Sequence, residues 1–134
     1  MTSKISSAIR ILVVEQEQDA RDQIEDLLKN DGYCVDPVRH EKEAIDKILS
    51  DPPNLILMAI PLRGTVDQVL GLACRIRKQG GLTENTPIVV FAVPTISEGA
   101  EEEISENIYA IRPDNFDQLR RLIARAVCKS SRRQ

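Results

Sequence analysis

Short apolar runs alternate along this chain with segments of helical periodicity, and this alternation limits the fold more than any other feature. In the segments of helical periodicity the apolar residues recur on one face, as Ile24, Leu27 and Leu28 do in the first such segment. The short apolar runs are typical of strands without a polar face, and such strands belong in a parallel sheet that is covered on both sides. The predicted strands cover residues 9–14, 34–38, 55–60, 87–93 and 108–111.

Five strands that alternate with five helices predict an α/β fold, a three-layer sandwich around a five-stranded parallel sheet. The fourth helix is expected after Thr95-Ile96-Ser97-Glu98, which has the spacing of a capping box. That helix should be short or loosely packed because the segment has few apolar residues. One domain is expected over residues 9–128, between an N-terminal lead of residues 1–8 and a polar tail of residues 129–134.

Composition argues against several classes of function. A net charge of −3 and the absence of Trp in 134 residues argue against a nucleic-acid partner. No apolar run approaches the roughly 20 residues that span a membrane, and none near the start resembles the core of a signal peptide, so a cytoplasmic protein without a membrane partner is expected. The three cysteines are widely spaced and His40 is the single histidine, so a structural zinc site is not expected.

The functional site of such a sheet lies at the carboxyl ends of its strands. Four segments supply that edge, and read together they resemble the receiver domain of response regulators in two-component signalling, which has a flavodoxin-like fold. The resemblance extends from about Ile9 to Val127. The four segments are Val13–Glu17, Ile56–Ala59, Val90–Val93 and Tyr109–Pro113.

The resemblance implies a phosphorylation pocket, but this sequence differs from the family at each position of that pocket. A working receiver carries an acidic pair that helps to hold Mg²⁺, an Asp that accepts the phosphoryl group, a Thr or Ser, and a Lys before Pro. The corresponding residues here are Glu15 with Gln16, then Ala59, Ala92 and Arg112. A methyl group cannot attack phosphorus, so the chain is interpreted as a pseudo-receiver without catalytic activity, without a cofactor, and with weak or absent Mg²⁺ binding.

Two residues of the pocket region allow alternative interpretations. Arg112 either fills the vacated pocket and pairs with Glu15, or extends outward into solvent. Tyr109 corresponds to an aromatic residue that moves between inward and outward positions in receivers. It is either held in one orientation, since Ala92 leaves room for an inward ring, or is an ordinary half-buried aromatic residue.

Charge is distributed unevenly near the end of the chain. An acidic segment is followed by a basic final helix, which is either an ordinary solvated surface or an interaction face made by the fourth helix, fifth strand and fifth helix. Such complementary charges predict a homodimer or a charged protein partner. The residues of this candidate face are Tyr109, Glu98, Glu101, Glu102, Arg120, Arg121 and Arg125.

The leading interpretation is therefore a phosphorylation-independent signalling module that acts through a protein partner in a two-component or phosphorelay pathway. One alternative is a regulator that is phosphorylated at another carboxylate, such as Glu15 or Glu17. Another is a sensor domain that binds an anion or metabolite in the vacated pocket near Arg112. The flavodoxin-like fold by itself does not distinguish these functions.

Overall fold

The computed structural model describes residues 9–59, 66–91, 99–112 and 116–132. In chain order, its elements are β1 Arg10–Val14, α1 Gln18–Asn30, β2 Cys34–Val38, α2 Glu41–Ser50, β3 Leu55–Ala59, α3 Val66–Gln79, β4 Ile88–Phe91, β5 Glu101–Ser105, β6 Ile108–Ile111 and α4 Phe116–Arg132.

One six-stranded sheet forms the centre of the molecule, in the order β2-β1-β3-β4-β6-β5. Neighbouring strands are parallel from β2 to β6, whereas β5 runs antiparallel to β6. The parallel part has the strand order of a flavodoxin-like sheet: the chain first moves from β1 to β2 on one side, and then adds β3, β4 and β6 on the other side of β1.

Helices cover both faces of the sheet because each central strand is apolar on both sides. On one face Leu12, Ile56 and Val90 pack with residues of α2 and α3 such as Ile48 and Ile76. The opposite face packs against α1 and α4, and its residues include Ile11, Val13, Leu57, Val89, Ile24, Leu28, Leu119 and Ile123. The predicted three-layer α/β sandwich is confirmed.

The predicted fourth helix is wrong for the described part of its segment. Residues 101–105 form β5, an antiparallel strand at the margin of the sheet, so the described residues contain six strands and four helices. The physical reason is that this segment has no apolar face of helical spacing, and Ile104 alone in the strand packs against the core. Asn107, with φ of +58°, lies in the tight turn after β5, from which the chain returns as β6 alongside β5. The capping-box residues 95–98 lie outside the described residues.

The last helix extends further than its apolar pattern indicated. The periodicity predicts a helix from Phe116 to Val127, and α4 continues to Arg132, into the predicted polar tail. The proposed boundaries of the domain at residues 9 and 128 stay predictions. In the described ranges, no helix has the length and apolar content needed to cross a membrane.

Candidate functional site

The carboxyl ends of four parallel strands meet at one edge of the sheet, as the sequence predicts. Val14 is in register with Met58, Ala59 with Phe91, and Phe91 with Ile111. The structure therefore places Glu15, Gln16 and Arg112 just beyond the ends of β1 and β6, with Ala59 at the end of β3. Ala92 lies outside the described residues.

The carboxylate of Glu15 is used within its own loop. Its Oε2 atom accepts a hydrogen bond of 2.9 Å from the backbone N–H of Glu17, and its backbone N–H donates to the carbonyl of Val38 at 3.0 Å. Glu15 is half-buried, whereas the neighbouring Gln16 is exposed. The loop that follows β1 therefore has a defined shape, in which Glu15 supports the start of α1.

Arg21 is a further residue of this edge, and the sequence pattern gave no indication of its role. Its Nη1 atom donates to the backbone carbonyls of Glu15, at 2.9 Å, and of Gln16, at 3.2 Å. A cationic group is thus fixed against the loop that carries the acidic pair in working receivers. The sequence offered little indication of this contact, because an arginine in the first turns of a helix is common and its partners are backbone atoms.

Arg112 is exposed at the end of β6, where its backbone N–H donates to the carbonyl of Ala100 at 3.1 Å. Arg112 also takes part in at least one further interaction. Among the ion pairs of the described residues, none joins Arg112 to Glu15. The pairing of these two residues in a vacated pocket stays a prediction.

The described residues do not fit the Mg²⁺ ion that the receiver fold implies. Mg²⁺ requires several oxygen ligands in near-octahedral geometry. At this edge, Ala59 has no side-chain oxygen, Gln16 offers only an amide, and the Glu15 carboxylate already accepts a hydrogen bond. Within the ranges that the structure describes, there is no group of three or more His, Cys, Asp or Glu residues that could hold a metal ion.

Tyr109 is half-buried, and its hydroxyl is directed toward the start of β6, away from the carboxyl-end edge. The hydroxyl donates to Oδ1 of Asn107 at 3.0 Å, two residues earlier in the chain. The ring packs with the core on the face covered by α1 and α4. The contact holds the ring at the opposite end of the strand from Arg112.

Asn107 is buried, with 3% of its surface exposed, and its backbone and side-chain polar groups are hydrogen-bonded. Its backbone N–H donates to Oε2 of Glu103 at 2.8 Å, and its Nδ2 donates to the carbonyl of Glu84 at 2.8 Å. Its carbonyl accepts from the backbone N–H of Ile88 at 3.0 Å. One asparagine thus connects the β5–β6 turn to β4 and to the loop that precedes β4.

Arg77 of α3 braces the same region from the helix layer. Its guanidinium donates to the carbonyls of Glu106, Thr86 and Asn107 at 3.0, 2.9 and 3.2 Å. Burial lowers the pKa of Arg77 from its ordinary value, because desolvation disfavours the charged form. The sequence did not reveal this polar cluster, since its members come from separate segments and most of the bonds end on backbone atoms.

The charged residues of the predicted interaction face pair partly with one another inside the chain. Arg125 donates to Glu101 at 2.7 Å. Arg120 donates to both carboxylate oxygens of Asp31, at 2.8 and 2.7 Å, and the hydrogen bond from Arg120 holds the pKa of Asp31 below its usual value. The remaining described members, Glu102 and Arg121, are exposed, and Glu98 lies outside the described residues.

Comparisons with known proteins link this fold to response regulators. A scan against models of protein families gave no match. An NtrX-like response regulator from Rickettsia bellii is 27% identical over 122 residues, which are 90% of this chain and 25% of that protein. The chain therefore spans about a quarter of the length of that curated relative.

Solved structures of NtrX and of the response regulator TrrA have the same fold. NtrX from Brucella abortus, in a structure with ATP, is 25% identical with a TM-score of 0.73, over 94% of this chain and 28% of NtrX. The response regulator TrrA from Thermotoga maritima, in complex with Mg²⁺ and BeF, is 25% identical with a TM-score of 0.67, over 88% of this chain and 98% of TrrA. A structure of the histidine kinase ThkA in complex with TrrA matches at 24% identity, with a TM-score of 0.66 over 88% of this chain and 97% of the matched chain.

These likenesses agree with the flavodoxin-like α/β fold of the chain. The fold match covers nearly all of this chain, and the matched relatives include NtrX, an NtrX-like response regulator and the response regulator TrrA. The chain has the fold of response regulators such as TrrA and is similar in sequence to an NtrX-like response regulator, in agreement with the resemblance to receiver domains of two-component signalling.

Proposed function

We propose that this receiver domain acts in signalling without being phosphorylated. The observation that carries the proposal is that β3 ends in Ala59, the residue to which the resemblance assigns the position of the acceptor carboxylate in a working receiver. Transfer of a phosphoryl group to the protein requires a nucleophilic oxygen at that point, and a methyl group has no lone pair to offer.

The neighbouring groups support the same proposal. A phosphoryl group and its attacking carboxylate carry negative charge that a divalent cation has to screen. With Glu15 bonded to the Glu17 N–H and with Gln16 as an amide, the edge is poor in ligands for such a cation. The hydrogen bond on Glu15 also weighs against this carboxylate as a substitute acceptor.

The position of Tyr109 supports a domain with one resting conformation. The aromatic ring is fixed through its hydroxyl to Asn107, which in turn is bonded to Glu84 and Glu103. A ring that moved toward the carboxyl-end edge would lose this bond and leave the buried Oδ1 without its described donor. The domain is therefore expected to present a constant surface to its partner.

We infer that the partner is a signalling protein. The TrrA structure with the kinase ThkA provides the precedent within the fold, and the long NtrX relatives indicate that a receiver of this kind occurs within larger proteins. A homodimer stays a second proposal. Its charge complementarity is reduced because Arg120 and Arg125 already pair with Asp31 and Glu101 in the same chain.

Amide NMR spectra with Mg²⁺ and beryllofluoride, a mimic of the phosphoryl group, test the proposal. We expect no saturable shift at Glu15, Ala59 or Tyr109, because the mimic needs an acceptor carboxylate and a bound cation. TrrA, which is known in complex with Mg²⁺ and BeF, is the positive control. Shifts that saturate and extend from Glu15 to Tyr109 would contradict phosphorylation independence.

A further inference from the structure

The outer edge of β5 is an exposed margin of the sheet. This strand is last in the strand order, and in the described ranges no further strand pairs with it. Glu101, Glu102, Glu103 and Ser105 are exposed along it. An edge of this kind is a template for pairing with another extended segment.

The direction of the backbone groups shows which residues face the open side. The carbonyl of Asn107 accepts from the backbone N–H of Ile88 in β4, whereas the backbone N–H of Arg112 donates to the carbonyl of Ala100 just before β5. The N–H and C=O groups of even-numbered residues in β6 therefore point toward β5, where Ala110 is opposite Glu102. Because residues alternate along a strand, the N–H and C=O groups of Glu101 and Glu103 point away from β6.

We propose that this edge accepts an extended, basic segment of a partner protein as an additional strand. The proposal rests on the proposed function in one respect, namely that the domain acts through a protein partner. The charge of the edge selects the occupant: the segment from Gly99 to Asn107 carries four glutamates and neither lysine nor arginine. Of these, Glu102 is exposed and has no described ion pair, so its charge is available to a basic side chain.

A second copy of this chain fits the same edge poorly. Two β5 strands side by side would place glutamates opposite glutamates, and like charges in directly opposed positions destabilise a strand pair. The strand at the other margin of the sheet, β2, would also be a poor partner from a second copy, because Pro37 has no N–H to donate. The β5 edge therefore favours a basic partner of different sequence.

The contact is expected to be short and dependent on salt. A register shift between Glu103 and Ser105 interrupts the regular pairing, so the two outward residues Glu101 and Glu103 supply the main backbone contacts. Few backbone hydrogen bonds give low affinity, and the charges of exposed residues are screened by salt. Steering by charge would then determine much of the partner choice.

A blocked eight-residue peptide of alternating lysine and valine is the probe, and hydrogen exchange of the backbone amides is the measurement. We expect exchange at Glu101 and Glu103 to slow about tenfold on saturation, since new strand hydrogen bonds protect these amides. The same peptide with its central valine replaced by proline, and a glutamate–valine peptide, should give no protection.

Two variants with equal changes of charge separate the edge from general electrostatics. Glu102→Lys should weaken binding of the lysine–valine peptide by about threefold or more, from the loss of an exposed charge contact. Asp22→Lys, at an exposed position of α1, should leave the affinity unchanged. Equal weakening by both variants, binding without protection at Glu101 and Glu103, or no binding of the peptide would each overturn the proposal. Phosphorylation is measured separately, so failure here leaves the proposed function standing.

Discussion

Replacing Asn107 with alanine is expected to lower the free energy of unfolding by about 2–4 kcal/mol. The side chain donates to the carbonyl of Glu84 and accepts from the Tyr109 hydroxyl, and each such bond contributes about 0.5–1.5 kcal/mol. The φ of +58° at this position adds about 1–2 kcal/mol for alanine, which fits the left-handed region poorly. Urea denaturation followed by circular dichroism measures the change.

Asn107→Gly separates the two causes. Glycine adopts positive φ without strain, so this variant should lose only the side-chain bonds and be less destabilised than Asn107→Ala. Tyr109→Phe removes the hydroxyl alone and should cost about 1 kcal/mol. Equal stability of Asn107→Ala and the wild-type protein would show that the polar cluster around Asn107 does not hold the β5–β6 hairpin.

Replacing Gly80 with alanine is expected to lower the free energy of unfolding by about 1–3 kcal/mol, through overpacking. An added Cβ atom would lie 2.7 Å from Cγ2 of Ile48 and 2.9 Å from the backbone carbonyl of Ile76. Ile48 is buried in the core and that carbonyl also accepts the Gly80 N–H, so α2 and the end of α3 would have to move apart. The melting temperature should fall accordingly.

Gly71→Ala, inside α3, is the control for Gly80→Ala just after the end of the same helix. The nearest atom to an added Cβ there is Nη1 of Arg75 at 3.8 Å, which is an ordinary contact. Alanine inside a helix is favoured over glycine by about 0.5–1 kcal/mol, so this variant should be more stable than the wild-type protein. If Gly80→Ala were as stable as Gly71→Ala, the close approach of α2 and α3 at Gly80 would be wrong.

Much of the fold could be predicted because the central strands are apolar on both sides. Residues 34–38 and 108–111 form strands with the predicted bounds, and the apolar periodicity of residues 116–127 gives the core of the last helix. The edge that holds Glu15, Ala59 and Arg112 followed from the geometry of parallel strands, which brings their carboxyl ends together.

The region between β4 and β6 was not predictable from the same signals. A capping-box pattern and the alternation of strands with helices favoured a helix, but the described residues 101–105 gain a strand partner in β6 and an apolar contact through Ile104. Tertiary pairing outweighed local preference there. Arg21, Arg77 and Asn107 were missed because most of their contacts are made with backbone atoms, which no sequence spacing indicates.

The most direct test of phosphorylation independence is the intact mass of the protein after incubation with Mg²⁺ and acetyl phosphate, a donor of phosphoryl groups. TrrA under the same conditions is the control for the donor. Because β3 ends in Ala59, the account predicts no added phosphoryl group on this protein. A stoichiometric gain that survives acid and is lost in base would show that another carboxylate has become the acceptor, and would contradict the account.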